Sequence, residues 1–258
     1  MKITDPIMSK LYSPARTTFN VPTGKVDDVV LPVHIAAPDV KAENLPLSTW
    51  TASVVLAGEL HRFDFFPATS SKPENDNLAI PVLELGAGTG LVGLSAACLW
   101  KQAAILSDLA PIVPGLDANI VLNKDNIAKF GGSADCGILD WSAPASLTLN
   151  SADGLQIIPS SRKARVVLAA DTIYGSDHPE LLTNTILKWL EKSTCARLCI
   201  CYPLRVAYLD EIRELWQRLE QGGLKSIQEG KKTHIGDSPN GDDEALCEWS
   251  VWRWKVLP

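Results

Sequence analysis

Residues 81–93 read Pro81-Val82-Leu83-Glu84-Leu85-Gly86-Ala87-Gly88-Thr89-Gly90-Leu91-Val92-Gly93. Val82–Leu85 is a short apolar run bounded by a proline and a glycine, too brief for a helix, so it reads as a buried strand. Beyond the glycines, Leu91, Leu94, Ser95, Cys98 and Leu99 recur at helical spacing, with Thr89 placed to cap the helix. Strand, glycine turn and helix in that order let a ligand approach the backbone closely. Glycine carries no Cβ to collide with it and adopts positive φ freely. Gly88–Gly93 also matches the dinucleotide fingerprint G-x-G-x-x-G, so the turn alone leaves the nucleotide-like ligand open.

The chain has 258 residues, 46% hydrophobic and 21% charged, which suits one well-buried α/β domain with an extension. A net charge of −6 argues against a direct nucleic-acid binder held by phosphate contacts. No segment has the uninterrupted apolar length of a membrane span, and Met1–Pro6 lacks the apolar core of a signal peptide. A cytoplasmic protein, also able to enter the nucleus, is the expectation. The six cysteines fall mostly in apolar runs with no C-x-x-C pair, which predicts reduced core thiols. Cys199 and Cys201 share one strand face but have no histidine nearby in sequence. His34, His61, His178 and His234 offer no metal-ligand spacing, so no metal is predicted.

Residues 1–45 read as an N-terminal extension carrying one strand, Val29–Ile35, placed at an edge because Pro32 would break a central ladder. Residues 46–258 read as the main domain. Ser48 or Thr49 caps a helix with Trp50, Val54, Leu56 and Leu60 on one stripe. After the glycine turn and its helix come the strand Ala103–Asp108, a helix over Pro111–Phe130, and the strand Cys136–Leu139 ending at Asp140-Trp141. Residues 142–164 read as a long Ser/Pro/Asn-rich loop. Ala164–Ala170, apolar on both faces, is a central strand ending at Asp171-Thr172-Ile173-Tyr174. A helix opened by His178-Pro179-Glu180, the strand Arg197–Tyr202, a helix over Leu209–Leu219, a strand over Leu224–Gln228, a loop at 230–244 and a final strand over Ala245–Val256 complete the chain. The last two strands lack an intervening helix and therefore form an antiparallel hairpin at the edge.

Glu84, Gly86–Gly90, Asp108, Asp140-Trp141 and Asp171–Tyr174 all fall at strand ends or the turns just after them. Ligands of open α/β sheets bind there. On these residues the chain resembles the seven-β-strand S-adenosylmethionine-dependent methyltransferases, and among them methyltransferase family 16, rich in protein-lysine methyltransferases. The resemblance spans roughly Leu47 to Trp254. It implies a doubly wound, mostly parallel seven-stranded sheet with an antiparallel C-terminal hairpin, and S-adenosyl-L-methionine as cofactor. By the same resemblance Trp50 belongs to the helix before the glycine motif, and Glu84, Gly86, Ala87, Gly88 and Gly90 to the motif itself. Asp108 is the ribose acid, Asp140 and Trp141 the adenine-side pair, and Ala170 the residue before the Asp-x-x-Tyr signature of Asp171 and Tyr174. Asp171 would orient the acceptor amine and Tyr174 line the methyl channel. Tyr202-Pro203-Leu204-Arg205 is similar to the Tyr/Arg element after the fifth strand, which makes Tyr202 and Arg205 substrate-binding candidates. Ala170–Pro179 looks like the fungal members that modify translation elongation factors.

An NAD enzyme would also place an acid about 20 residues beyond the fingerprint, where Asp108 lies, so spacing does not separate the two cofactors. Glu84 inside the strand, the extra Gly86 and the downstream Asp-x-x-Tyr favour the methyltransferase, since a dehydrogenase pattern requires none of them. A small-molecule N-methyltransferase, an NAD-dependent oxidoreductase and a non-catalytic cofactor-binding scaffold stand as alternatives to a protein-lysine methyltransferase. The loops at 142–164 and 230–244, with Arg205, are the candidate acceptor contacts. Oligomeric state is open.

Overall fold

The structure is a computed structural model and describes residues 16–24, 29–37, 41–42, 45–46, 48–67, 79–151, 154–234 and 246–255. Its centre is a nine-stranded sheet. In chain order the strands preceding it are β1 (Arg16–Pro22), β2 (Val30–Ala36), β3 (Lys41–Ala42) and β4 (Leu45–Pro46). The sheet itself uses β5 (Ile80–Leu85), β6 (Ala103–Asp108), β7 (Ser133–Ile138), β8 (Ser146–Ser151), β9 (Gly154–Pro159), β10 (Ala164–Ala170), β11 (Arg197–Pro203), β12 (Leu224–Thr233) and β13 (Leu246–Trp254). Their order is β12-β13-β11-β10-β5-β6-β7-β8-β9. Pairing is parallel from β11 through β7 and antiparallel at both ends. The seven expected strands are all present, with the C-terminal hairpin in the expected sense.

Among the described residues six α-helices cover the sheet: α1 (Thr51–Glu59), α2 (Leu91–Trp100), α3 (Val113–Leu122), α4 (Lys124–Phe130), α5 (His178–Trp189) and α6 (Leu209–Gln221). Buried residues of α1–α4 share one apolar core, and those of α5, Trp189 among them, and of α6 share the other with Trp252 and Tyr202. The sheet is therefore wound on both faces. The chain leaves β5 toward β7 on one side and returns to β10 on the other, so the topological switch point lies between β5 and β10. Leu85 faces Ala169 in that register, which brings the turn after β5 beside the turn after β10.

Four details differ from the sequence reading. Residues 146–151 and 154–159, expected within a loop, form the paired strands β8 and β9, which extend the sheet by two strands and bury Leu147, Leu149 and Ile158. The helix expected over Pro111–Phe130 is broken at Asn123, whose side-chain Nδ2 donates to the Asn119 carbonyl and competes with the helical ladder. Thr89, Ser48 and Thr49 cap no helix. Gly90 and Trp50 occupy those positions without a side-chain cap, and the hydroxyls of Thr49 and Thr89 bond each other at 2.7 Å. β12 runs on to Thr233, and residues 235–244 of the expected loop lie outside the described residues.

The expected N-terminal strand is β2, paired antiparallel with β1 in a two-stranded sheet of its own, where Pro32 costs little because both strands are edges. Val21, Leu31, Val33 and Ile35 enter the same core as α1–α4. The six cysteines are free thiols, with Cys195 exposed and the others buried. Burial pushes the Cys98 thiol up to about 12 and raises Cys199 further still, so these are inert core residues. No helix among the described residues is long and apolar enough to cross a membrane.

Candidate active site

The turns at the carboxyl ends of β5, β6, β7 and β10 enclose a cleft of about 820 Å³. Its floor is the glycine turn. Gly86, Gly88 and Gly90 have φ of 63°, 55° and 86°, left-handed conformations that side chains rarely adopt. A Cβ on Gly86 would come within 3.0 Å of Thr172 and 3.2 Å of Trp141, so this glycine keeps the turn pressed against two other walls of the cleft. At Gly88 the space beyond the backbone is open to the cleft, with the nearest atom 3.9 Å from the Cβ position.

Asp108 ends β6 across from this turn. Its Oδ2 accepts from the Gly88 N–H at 2.8 Å and its Oδ1 from the Leu109 N–H at 2.7 Å. Two backbone donors fix the carboxylate at the position where a ribose diol is held in such folds. Asp140 accepts from both the N–H and the hydroxyl of Ser142, which turns the chain so that Trp141 lines the cleft wall. Trp141 meets His178 edge to face at 6.0 Å, and His178 packs against Tyr174 at 4.3 Å.

The opposite end of the cleft carries Trp50, Asp171, Tyr174, Arg205 and Tyr208. Asp171 follows β10 with φ 57°, a left-handed backbone that costs a non-glycine residue on the order of 1–3 kcal/mol and is concentrated at functional sites. Its side chain is only 3% exposed and is gripped by Arg205 through Nη1–Oδ1 at 2.9 Å and Nη2–Oδ2 at 3.3 Å. The Arg205 guanidinium in turn lies 5.8 Å from the Trp50 ring centre, within cation–π range. The cleft therefore has an anionic, hydroxyl-binding end at Asp108 and an ion-paired, aromatic end at Asp171.

Of the sequence candidates, Trp50, Gly86, Ala87, Gly88, Asp108, Asp140, Trp141, Ala170, Asp171, Tyr174 and Arg205 all line this one cleft. Glu84, Gly90 and Tyr202 do not. Glu84 points beneath the turn, where its Oε2 accepts the Gly93 N–H at 2.9 Å. Burial, with the Asp108 charge adding to it and the Gly93 N–H opposing it, raises the Glu84 pKa to about 8. It supports the turn from below and touches no ligand space. Gly90 packs against Leu106 and Leu116. Tyr202 faces the other side of the sheet; its hydroxyl donates to Glu248 and accepts from Trp216, and burial raises its pKa. Strand alternation explains this, since Cys201 rather than Tyr202 projects toward the α1 face.

Sequence reasoning passed over Ser48, Thr172, Tyr208 and, as a cleft residue, His178. His178 sits one residue past the N-cap of α5, and its Nδ1 lies 3.0 Å from the Thr172 carbonyl, which ties the α5 start to the Asp171 turn. Only Thr172 had a signal, inside the Asp-x-x-Tyr run. The residues fit S-adenosylmethionine: a carboxylate for a diol, an indole beside an adenine-sized wall, and a glycine floor for the amino-acid end. Thr172 Oγ1 is buried at the cleft wall with no hydrogen-bond partner among the described residues, a polar atom left for a ligand.

A doubly wound sheet with a glycine floor after its first parallel strand, a carboxylate after the second and an antiparallel C-terminal hairpin is the architecture of the Rossmann-like methyltransferases. The Pyrococcus horikoshii protein PH1948 has the same fold, with a TM-score of 0.50 at 14% identity, covering 84% of this chain and 93% of that one. Residues 38–214 match the family model described as lysine methyltransferase, methyltransferase family 16, and the chain belongs to that family. It is 34% identical over 217 residues to the protein-lysine N-methyltransferase EFM2 of Saccharomyces cerevisiae, and 30% identical over 223 residues to the protein-lysine N-methyltransferase rrg1 of Schizosaccharomyces pombe. The first match covers 80% of this chain and 48% of EFM2; the second covers 86% of this chain and 67% of rrg1. The chain thus spans about half the length of EFM2.

Proposed function

We propose that this protein transfers the methyl group of S-adenosylmethionine to a lysine Nζ of a protein substrate in the cytoplasm. The observation that carries the reading is the buried Asp171–Arg205 pair, set at the far end of the same cleft as the glycine floor and Asp108. Bound S-adenosylmethionine would supply a methyl already activated on a sulfonium, so the chain's task is to align an acceptor and exclude water. Gly86–Gly88, Asp108, Trp141 and Thr172 would hold the cofactor, with its reactive end toward Asp171.

A lysine of pKa ~10.4 is only about 0.1% neutral near pH 7.4, a cost of roughly 4 kcal/mol. A bare carboxylate beside the amine would hold the proton on and increase that cost. Arg205 removes this difficulty. With its charge compensated through two hydrogen bonds, Asp171 keeps oxygen lone pairs to orient the amine without presenting a net negative charge. Desolvation between Trp50, Tyr174 and Tyr208 then favours the neutral amine. Arg205 on this reading positions Asp171 and does not itself bind substrate.

A translation elongation factor is the acceptor favoured by the resemblance of Ala170–Pro179 to the fungal enzymes that modify such factors. The test is to incubate the protein with labelled S-adenosylmethionine and an extract of cells lacking the endogenous enzyme, then locate the label by mass spectrometry. Label on a lysine of an elongation factor is the expected result. Label confined to small molecules, or no transfer by a protein that binds NAD(H) in calorimetry, would overturn the reading.

A further inference from the structure

The outward edge of β2 is closed by three asparagines and, among the described residues, by no strand. Asn119 on α3, Asn123 at the junction of α3 and α4, and Asn126 on α4 all turn their amides toward β2. The Ala36 N–H donates to Asn119 Oδ1 at 2.9 Å, and Asn119 Nδ2 donates to the Ala36 carbonyl at 3.1 Å. One pleat along, the His34 N–H donates to Asn123 Oδ1 at 2.8 Å and Asn123 Nδ2 donates back to the His34 carbonyl at 2.6 Å. At Pro32, which has no N–H to give, Asn126 Nδ2 donates to the carbonyl at 2.8 Å. Each amide replaces one residue of a partner strand, with a donor and an acceptor where β2 offers both and a donor alone where it offers only a carbonyl.

Asn119 does something the other two do not. Its Nδ2 also donates to the carbonyl of Thr89 at 2.9 Å, inside the glycine turn, and Asn119 is fully buried. The Thr89 hydroxyl is held on its other side by Thr49 at 2.7 Å, next to Trp50. The turn that forms the cofactor floor is therefore fastened by one side chain to the N-terminal hairpin and by another to the start of α1. Three left-handed glycines give that turn much freedom to lose, and fixed external partners are what limit it.

We propose that the β1–β2 hairpin is a positioning element of the S-adenosylmethionine site, acting through Asn119 on the Thr89 carbonyl, so that cofactor affinity depends on hairpin docking. The proposal rests on the cleft being that cofactor's site. His34 and Ala36 lie outside the cleft lining, yet their amides are held by the same asparagine ladder. Coupling between two sites is reciprocal, so the cofactor product must tighten the hairpin as much as the hairpin tightens the turn.

The experiment follows hydrogen exchange of the wild-type protein with and without S-adenosylhomocysteine, alongside calorimetry on two variants. Binding is expected to slow exchange at the His34 and Ala36 amides as well as at Gly88–Gly90. Asn119→Ala should weaken S-adenosylhomocysteine binding about tenfold, the scale of a buried carbonyl stripped of its partner. Asn123→Ala, which loosens the same strand at His34 but does not touch Thr89, should lower Tm comparably and weaken binding by less, about threefold. Unchanged exchange at His34 and Ala36 on binding, or wild-type affinity in Asn123→Ala, would overturn the proposal, and the exchange arm stands even if Asn119→Ala fails to fold. A wild-type protein that does not bind S-adenosylhomocysteine at all would instead overturn the reading of the cleft, and the proposal with it.

Discussion

Arg205 grips Asp171 with two hydrogen bonds in a pair whose carboxylate side chain is 3% exposed, and the same guanidinium stacks over Trp50. The pair is buried, so its energetics differ from those of a surface ion pair. Removing one partner of such a pair strands the other charge, at a cost of about 3–5 kcal/mol. Arg205→Ala should therefore lower Tm measurably. Arg205→Lys keeps the charge but not the planar fork. It should fold, bind S-adenosylhomocysteine within about twofold of wild type by calorimetry, and lose about tenfold or more in kcat, because an ammonium does not fix both Asp171 oxygens in one plane.

Glu84 predicts a pH dependence of stability. Its folded pKa, about 8, lies above the ordinary carboxylate value of 4.5 because the residue is buried. The folded state thus holds a proton that the unfolded state has released. Stability from this group is complete below the unfolded pKa and is lost as pH rises through about 8. Glu84→Gln keeps an amide oxygen for the Gly93 N–H and removes the titration. Its Tm should match wild type near pH 4.5 and exceed it near pH 8.5, read by thermal melts across that range. Parallel curves would show that Glu84 is ionised throughout.

Gly86→Ala places a methyl group 3.0 Å from Thr172 and 3.2 Å from Trp141, on a backbone of φ 63°. Both the contact and the backbone oppose it. Since Thr172 and Trp141 line the cleft, the expected effect is a loss of S-adenosylhomocysteine affinity larger than the loss of stability. Parallel calorimetry and melting would check this. A variant that melts lower but binds normally would place the cofactor away from this turn.

Trp141 should matter as a flat surface. Trp141→Phe is expected to retain most of the cofactor affinity and Trp141→Ala to lose about tenfold, in line with the stacking energy of an aromatic pair. Equal losses in the two would point instead to the indole N–H.

Much of the site was legible because its residues cluster in sequence at strand ends. Asp108, Trp141 and Asp171 needed no long-range information, only the strands before them. Tyr202 lies off the cleft for a physical reason: it is one pleat away from Cys201, and reading a motif by position in sequence ignores which face alternation selects. The β8–β9 hairpin was hidden by composition, although Asp153-Gly154 between two alternating segments is a hairpin signal in its own right. Asn119 could not have been found at all. Its partners, Ala36 and Thr89, are 83 and 30 residues away, and nothing in the local pattern names them.

The most direct measurement is single-turnover methyl transfer by Asp171→Asn, using the acceptor protein identified by labelling. The substitution keeps the shape and removes the charge that pairs with Arg205. An orienting role for Asp171 predicts cofactor affinity within a few-fold of wild type and a methyl-transfer rate about a hundredfold lower or worse, the scale lost when an acceptor is misaligned. Transfer to lysine at the wild-type rate by a variant that binds cofactor normally would contradict it.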